Sequence, residues 1–353
     1  MVLIVRVLKH ADGNKNDKNE GQINMVSIKD VASHAGVAIS TVSKVLNNYP
    51  NVSSETKKKV NKAIAELGFV PNAIAAALSS KKSGRIALLM NLNTQTQAID
   101  EIGMQYMAGA IRQAKEYNLD LVTVFFSMIQ DMSYEEITRY FLSQNIAGII
   151  ICGISKDDVI LRQLIEAEKF KIVLVDAPIV NATTSSVRID HKRAQYDIAK
   201  RTILQNNAKR VLYIAGKKNG YVTDERLKGM EKLVRELNLT MLIRYGNFSE
   251  LEARKLTFQY GQHKDIVVCA SDLMAIGAMK ALTEMDIFRP VCGFDGITLM
   301  GYVGKQMNTV RQNFAHISEE AVKELHQLME GAAGRNVIVQ YELVRMQYLD
   351  IIC

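Results

Sequence analysis

The run Ile39-Ser40-Thr41-Val42-Ser43-Lys44-Val45-Leu46-Asn47 carries chemistry in its spacing. Val42, Val45 and Leu46 recur at helical intervals and define one apolar face. The rest of such a helix presents Ile39, Ser40, Thr41, Ser43, Lys44 and Asn47. Short hydroxyls donate and accept, the ammonium is a point charge, and the amide does both. Ile39 offers only apolar contact, of the kind a thymine methyl accepts. This is suitable equipment for a helix entering a major groove. Taken alone, it also describes a solvated surface helix, so the surrounding elements must decide.

Those elements are strongly marked. Ser27 and Asp30 resemble a capping box, with Asp in place of the usual Glu or Gln. Val31, Ala32 and Ala35 give a short apolar face, and Gly36 stops that helix. After the run above, Asn47 to Asn51 reads as a loop. A third helix is expected from Ser53 to Leu67, with Val60, Ala63, Ile64 and Leu67 inward and Gly68 as its stop. Three short helices around a Gly-containing turn make a helix-turn-helix over residues 25–70. Residues 1–24, polar after the first nine, read as a disordered extension ahead of a start at Met25. PNAIAAALSS, Pro71 to Ser80, predicts a helix of about ten residues, marginal by itself because nucleation is costly. Lys81 to Gly84 reads as a basic linker.

After Arg85 the pattern changes. Strands are expected at Ile86–Leu92, Leu119–Phe126, Ile146–Cys152, Lys171–Asp176, Arg210–Ala215, Met241–Tyr245, Asp265–Ala270 and Val291–Phe294, and a last one in Tyr341–Cys353. Amphipathic helices alternate with them, which implies parallel sheets covered on both faces. So many strands suit two α/β lobes: one from about 85–185 with 314–338, the other from about 186–313 with 339–353. A ligand would lie between them, at the strand C-termini.

Charge placement agrees with a small module ahead of a large one. Net charge is +7. Residues 25–84 hold eight lysines against three acids, a surplus of five, while residues 85–353 hold 32 basic and 31 acidic side chains. A basic module suggests nucleic-acid contact. No apolar run reaches the roughly 18 residues that span a bilayer. Cys152, Cys269, Cys292 and Cys353 form no CxxC pair and read as free thiols in a reducing cytoplasm. Catalysis is not expected. No GxGxxG follows a strand, no Walker A or GxSxG occurs, and GKKNG at 216–220 lacks the GK[ST] ending. Six histidines share no ligand spacing, so no metal or other cofactor is expected.

The stretch SIKDVASHAGVAISTVSKVLNNYPNVSSETKKKVNKAIAELGFVPNAIAAAL resembles the lactose-repressor (LacI/GalR) family of bacterial transcription regulators. Weaker likeness continues in AKRVLYIAG, DERLKG, CASDLMAIGAMKAL and VCGFDGI. The resemblance implies that Ile39, Ser40 and Lys44 face base edges. Thr41, Ser43, Asn47 and Ser53 would face phosphates, and Lys29 and Asn51 join the DNA-facing set. It makes residues 72–80 a hinge helix, with Asn72, Ala75 and a minor-groove wedge, Leu78. Two departures stand out. Ala38 replaces the usual N-cap serine of the reading helix, a loss of about 1 kcal/mol. Lys44 replaces the commoner arginine, so a forked guanine contact becomes a point-charge contact.

The same resemblance implies a periplasmic-binding-protein-like body whose cleft takes a small effector, a sugar or sugar phosphate. Arg226, Asp295, Asp176 and Phe248 match ligand-contacting positions, with Asn91 a further candidate. Ser271 stands where sugar-responsive members often carry asparagine, and Gly296 follows Asp295 in place of a second acid. The expected whole is a cytoplasmic homodimer on a palindromic double-stranded operator, repressing carbohydrate-utilisation genes. Control by a protein partner or a non-sugar ligand is an alternative, as is a sugar-binding protein without a DNA role.

Overall fold

In the computed structural model of the chain, the described residues are 26–46, 49, 52–69, 84–91, 100–303 and 307–346. They form two compact units that part between Lys82 and Ser83.

The first unit holds α1 (Ile28–Ala35), α2 (Ile39–Leu46) and α3 (Ser54–Leu67). Ser27 caps α1: its Oγ accepts from the Asp30 N–H at 3.4 Å, and the Ser27 N–H donates to Asp30 Oδ2 at 2.8 Å. The Ser27 hydroxyl, which donates to Oδ2 at 2.6 Å, and the Ser27 N–H together hold the Asp30 carboxyl below its ordinary pKa. Gly36 ends α1 in the left-handed region, at φ 65°, which a residue with Cβ enters at a cost. Ser53 is the cap of α3, outside the helix, and accepts from the Thr56 N–H at 3.2 Å. By contrast, α2 starts on Ala38, whose carbonyl accepts from Thr41 and Val42 but whose side chain has no oxygen to offer. Val31, Ala32, Val42, Val45, Val60 and Ala63 are buried where the three helices meet. Each buried valine contributes about 1.5–3 kcal/mol. His34 Nε2 reaches Glu66 Oε2 at 2.9 Å and ties α1 to α3.

The second unit has two lobes. The first lobe's sheet contains β1 (Arg85–Met90), β2 (Asp120–Phe125), β3 (Ile146–Cys152), β4 (Lys171–Val175), β5 (Thr184–Ile189) and β11 (Asn336–Val339). Its order is β11-β5-β4-β3-β1-β2, all parallel. Alternation along β1 explains the two-sided cover: Ile86, Leu88 and Met90 enter one core cluster, Ala87 and Leu89 another. Helices α4 (Glu101–Glu116), α5 (Phe126–Ile129), α6 (Tyr134–Ser143), α7 (Val159–Glu166) and α12 (Phe314–Met329) cover it.

The second lobe's sheet contains β6 (Arg210–Ala215), β7 (Thr240–Tyr245), β8 (Ile266–Cys269), β9 (Val291–Cys292), β10 (Met307–Arg311) and β12 (Glu342–Met346). The order is β12-β10-β9-β8-β6-β7, and only β12 runs antiparallel to its neighbour. Helices α8 (His191–Gln205), α9 (Tyr221–Leu237), α10 (Glu250–Tyr260) and α11 (Asp272–Glu284) belong to this lobe, with a 3-10 turn at Thr298–Val303.

The chain changes lobes three times: after β5, between β10 and α12, and between β11 and β12. The first change therefore comes after Ile189, not after residue 185. Sequence periodicity misses β5, β10 and β11. In β5 the buried Thr184, Ser185 and Ser186 are polar, and in β10 so are Asn308 and Thr309. Val291–Phe294, expected as one strand, pairs only at Val291–Cys292. Among the described residues, no helix is long and apolar enough to cross a membrane.

Candidate functional site

Two surfaces carry the candidate residues. On the first unit, Ile39 is 45% exposed, and Ser40 and Lys44 are also exposed. Thr41 and Ser43 are half-buried, while Val42 and Val45 anchor the opposite face of α2. Lys29 and Ser53 are exposed. The Ser53 hydroxyl is already engaged with Thr56, at 2.8 Å from its Oγ1. Asn47, Asn51, Asn72, Ala75 and Leu78 lie outside the described residues.

The second surface is a cavity of about 530 Å³ between the lobes, bordered by Asp176, Arg226, Phe248, Ser271 and Asp295. Five of the six cleft positions expected from sequence thus meet there. The sixth, Asn91, is exposed just past β1 and does not border the cavity. Asp176 follows β4 and Asp295 lies just beyond β9, so both stand at strand C-termini. Both also have positive φ, 64° and 120°, as does Phe248 at 57°. Non-glycine residues hold such conformations at a cost that surrounding structure must impose.

At the cavity floor runs a buried chain of polar groups. Asp176 Oδ1 lies 2.8 Å from His191 Nε2, and His191 Nδ1 lies 3.4 Å from Arg226 Nε. A guanidinium only donates, so His191 Nδ1 must accept and its proton sits on Nε2, facing the carboxylate. The imidazole is neutral: burial lowers its pKa against the pull of Asp176. Burial alone would raise Asp176, but His191 and Arg226 outweigh it and hold the carboxyl below its ordinary value. Arg226 also donates to the Ala270 carbonyl, stands 3.5 Å from Asp295 Oδ1, and stacks at 3.7 Å over the Phe294 ring. Close helix packing makes this possible. A Cβ on Gly229, one turn after Arg226, would come within 2.3 Å of the Lys192 carbonyl, so α9 sits backbone-close beside His191.

Asp295 accepts from Gln312 Nε2 at 3.0 Å. Burial and the nearby Asp272 carboxyl raise it against Arg226, to about 8. Asp272 holds the loop that carries it. One Asp272 oxygen accepts from the Gly296 and Ile297 N–H groups at 2.7 and 2.9 Å, the other from the Thr309 hydroxyl at 2.6 Å. Ser271, expected to meet ligand, caps α11 by accepting from the Met274 N–H at 3.3 Å. Phe248 presses its ring over Gly216, where a Cβ would sit 2.0 Å from Cζ.

The lobes are also strapped together at the cleft mouth. Glu101 on α4 accepts from the Thr298 N–H at 2.8 Å and from its hydroxyl at 2.9 Å. Elsewhere between the lobes, Lys156 pairs with Asp224 and Arg188 with Glu225, and the Lys156 N–H donates to the Asn219 carbonyl at 3.1 Å. Sequence reading missed His191, Glu101 and Thr298. For His191 the available signal was its place as the first helical residue after a strand. Cys152, Cys269 and Cys292 are buried free thiols, and the described residues contain no cluster of His, Cys, Asp or Glu able to hold a metal.

Residues 27–72 match the family "Bacterial regulatory proteins, lacI family", and residues 86–333 match "Periplasmic binding protein domain". The chain is 29% identical over 340 residues to the HTH-type transcriptional regulator RegA of Clostridium saccharobutylicum, covering 91% of this chain and 98% of that one. With catabolite control protein A of Staphylococcus epidermidis it shares 28% over 338 residues, covering 90% and 97%. Among solved structures, a lac repressor dimer bound to operator and the anti-inducer ONPF superposes with a TM-score of 0.77 at 24% identity, covering 92% and 99%. A complex of the regulator CelR with cellobiose gives 0.65 at 24%, covering 91% and 99%. The fold class read from sequence, a helix-turn-helix ahead of a two-lobed α/β body, is the one observed. These relatives are DNA-binding transcription regulators and not enzymes. The chain belongs to the lacI family of bacterial regulatory proteins, with a body of the periplasmic-binding-protein type.

Proposed function

We propose that this chain represses carbohydrate-utilisation genes as a cytoplasmic homodimer on a palindromic operator, and that a small effector in the interlobe cleft adjusts its hold on DNA. The observation that carries the reading is α2: Val42 and Val45 fix it to the unit's core while Ile39, Ser40 and Lys44 stand free. In this reading Ile39, Ser40 and Lys44 meet base edges, and Lys29, Thr41, Ser43, Asn47, Asn51 and Ser53 meet phosphates. Leu78, with Asn72 and Ala75 beside it, supplies a minor-groove wedge. Arg226, Asp176, Asp295 and Phe248 hold the effector. Ser271 contributes chiefly by capping α11.

Effector control requires different affinities for the two lobe arrangements. The Glu101–Thr298 strap and the pairs near Lys156 are the bonds that a change of lobe angle would break. The test is gel-shift titration of the full chain on DNA upstream of its own gene, with and without a sugar panel. Retardation of that fragment over random DNA, changed by one sugar, supports the proposal. Equal affinity for both DNAs sinks the regulatory reading. A specific shift that no sugar alters removes the effector part alone.

A further inference from the structure

The cleft's charges say what kind of effector it takes. Four acidic side chains border the cavity, Glu101, Asp176, Glu250 and Asp295, against one guanidinium, Arg226. That guanidinium is already committed to the Ala270 carbonyl, His191 Nδ1 and Asp295, with its face on Phe294. His191 is neutral and cannot balance Asp176. Lys280 answers Glu250, and the single Arg226 is shared between Asp295 and Asp176. Among the described residues both Gln312 and Arg226 approach Asp295 at Oδ1.

We propose that the effector is a hydroxylated amine, such as an amino sugar, whose ammonium is received by Asp295 beside the Phe248 ring, and that the cleft rejects phosphorylated sugars. This rests on the cleft being an effector site. An anion would meet carboxylates and find no uncommitted cation within the lining. An ammonium answers the surplus, and an aromatic wall accepts its apolar face. Burial and the carboxyls of Asp272 and Asp176 push Asp295 toward its protonated form against Arg226, so an arriving ammonium should drive a proton off it.

Calorimetry on the full chain at pH 7 with matched triplets tests this: glucose, glucosamine and glucose 6-phosphate, then the galactose set. The amine should bind at least tenfold tighter than its neutral parent and the phosphate ester weakest. Only the amine should show a heat that changes with buffer ionisation enthalpy. A phosphate ester as tight as its parent, or an amine no tighter, overturns the proposal. Silence from every sugar defeats the sugar-cleft reading and leaves the charge surplus to a ligand-free measurement. Asp295→Asn should then melt above the parent chain, by a margin that widens from pH 5 to pH 9. A lower melting temperature for Asp295→Asn throughout that range would refute the surplus.

Discussion

Replacing Asp272 by alanine should cost the body about 4 kcal/mol, from two main-chain donors left without acceptors. The side chain is fully buried, and one of its oxygens receives both the Gly296 and Ile297 N–H groups. Each orphaned buried donor costs roughly 1–3 kcal/mol. The third partner is spared, because the Thr309 hydroxyl also lies 3.4 Å from the Val310 carbonyl and can turn to it. Asp272→Asn should cost much less. Its amide oxygen can keep both N–H groups while its NH2 faces the Thr309 oxygen. Burial raises the Asp272 pKa to about 6 against those hydrogen bonds. A folded-state value above the unfolded one gives stability that is present below the unfolded value and lost as pH rises through the folded one. Asparagine has no such titration, so its deficit should shrink from pH 4 to pH 7. Urea unfolding followed by tyrosine fluorescence reads this, since the chain has no tryptophan and twelve of its thirteen tyrosines follow residue 82. An alanine variant within about 1 kcal/mol of the parent, or an asparagine variant no better than alanine, would refute the reasoning.

Other expectations follow from the same geometry. Ala38→Ser should stabilise the first unit by about 0.5–1 kcal/mol by giving α2 a capping oxygen, and should tighten operator binding in gel shifts; no change in either would mean the cap site is already satisfied. Gly216→Ala should displace the Phe248 ring at about 1–3 kcal/mol of overpacking and blunt the effector response, which thermal melts with and without ligand would register. Arg226→Lys should abolish that response while leaving operator affinity intact, because a point charge cannot serve His191, the Ala270 carbonyl and Asp295 together; an unaltered response would remove Arg226 from the site.

What sequence disclosed and what it hid divide along physical lines. The helix-turn-helix was legible because its punctuation is local: Ser27 with Asp30, Gly36, Ser53 and Gly68 act within a few residues of themselves. Strands such as Ile146–Cys152 were legible because burial on both faces makes them continuously apolar. β5 was hidden because its buried Thr184, Ser185 and Ser186 are small and polar, and Ser185 answers to partners far away: its Oγ donates to Glu324 and accepts from the Arg335 N–H. The cleft aspartates came through family resemblance, but the electrostatics of Asp176 depend on His191. Its role arises only when α8 and α9 pack, and nothing in the order of residues announces that. Ser271 borders the cavity as expected, but that its oxygen also caps α11 is a contact the family resemblance did not disclose.

The weaving of the chain between lobes has a consequence for how the protein is made. Each sheet receives one edge strand, β11 or β12, from residues 336–346. On the ribosome, β5 and β10 therefore present unpaired edges until residues 336–346 have emerged, and such edges invite pairing with other chains. The helix-turn-helix is continuous in sequence, so it can fold as soon as it emerges. A truncated transcript would yield a competent DNA-reading head on an unfinished, aggregation-prone body. Neither lobe could be rescued as a contiguous fragment, and a permuted gene that brings β11 beside β5 would be the natural route to an isolated first lobe.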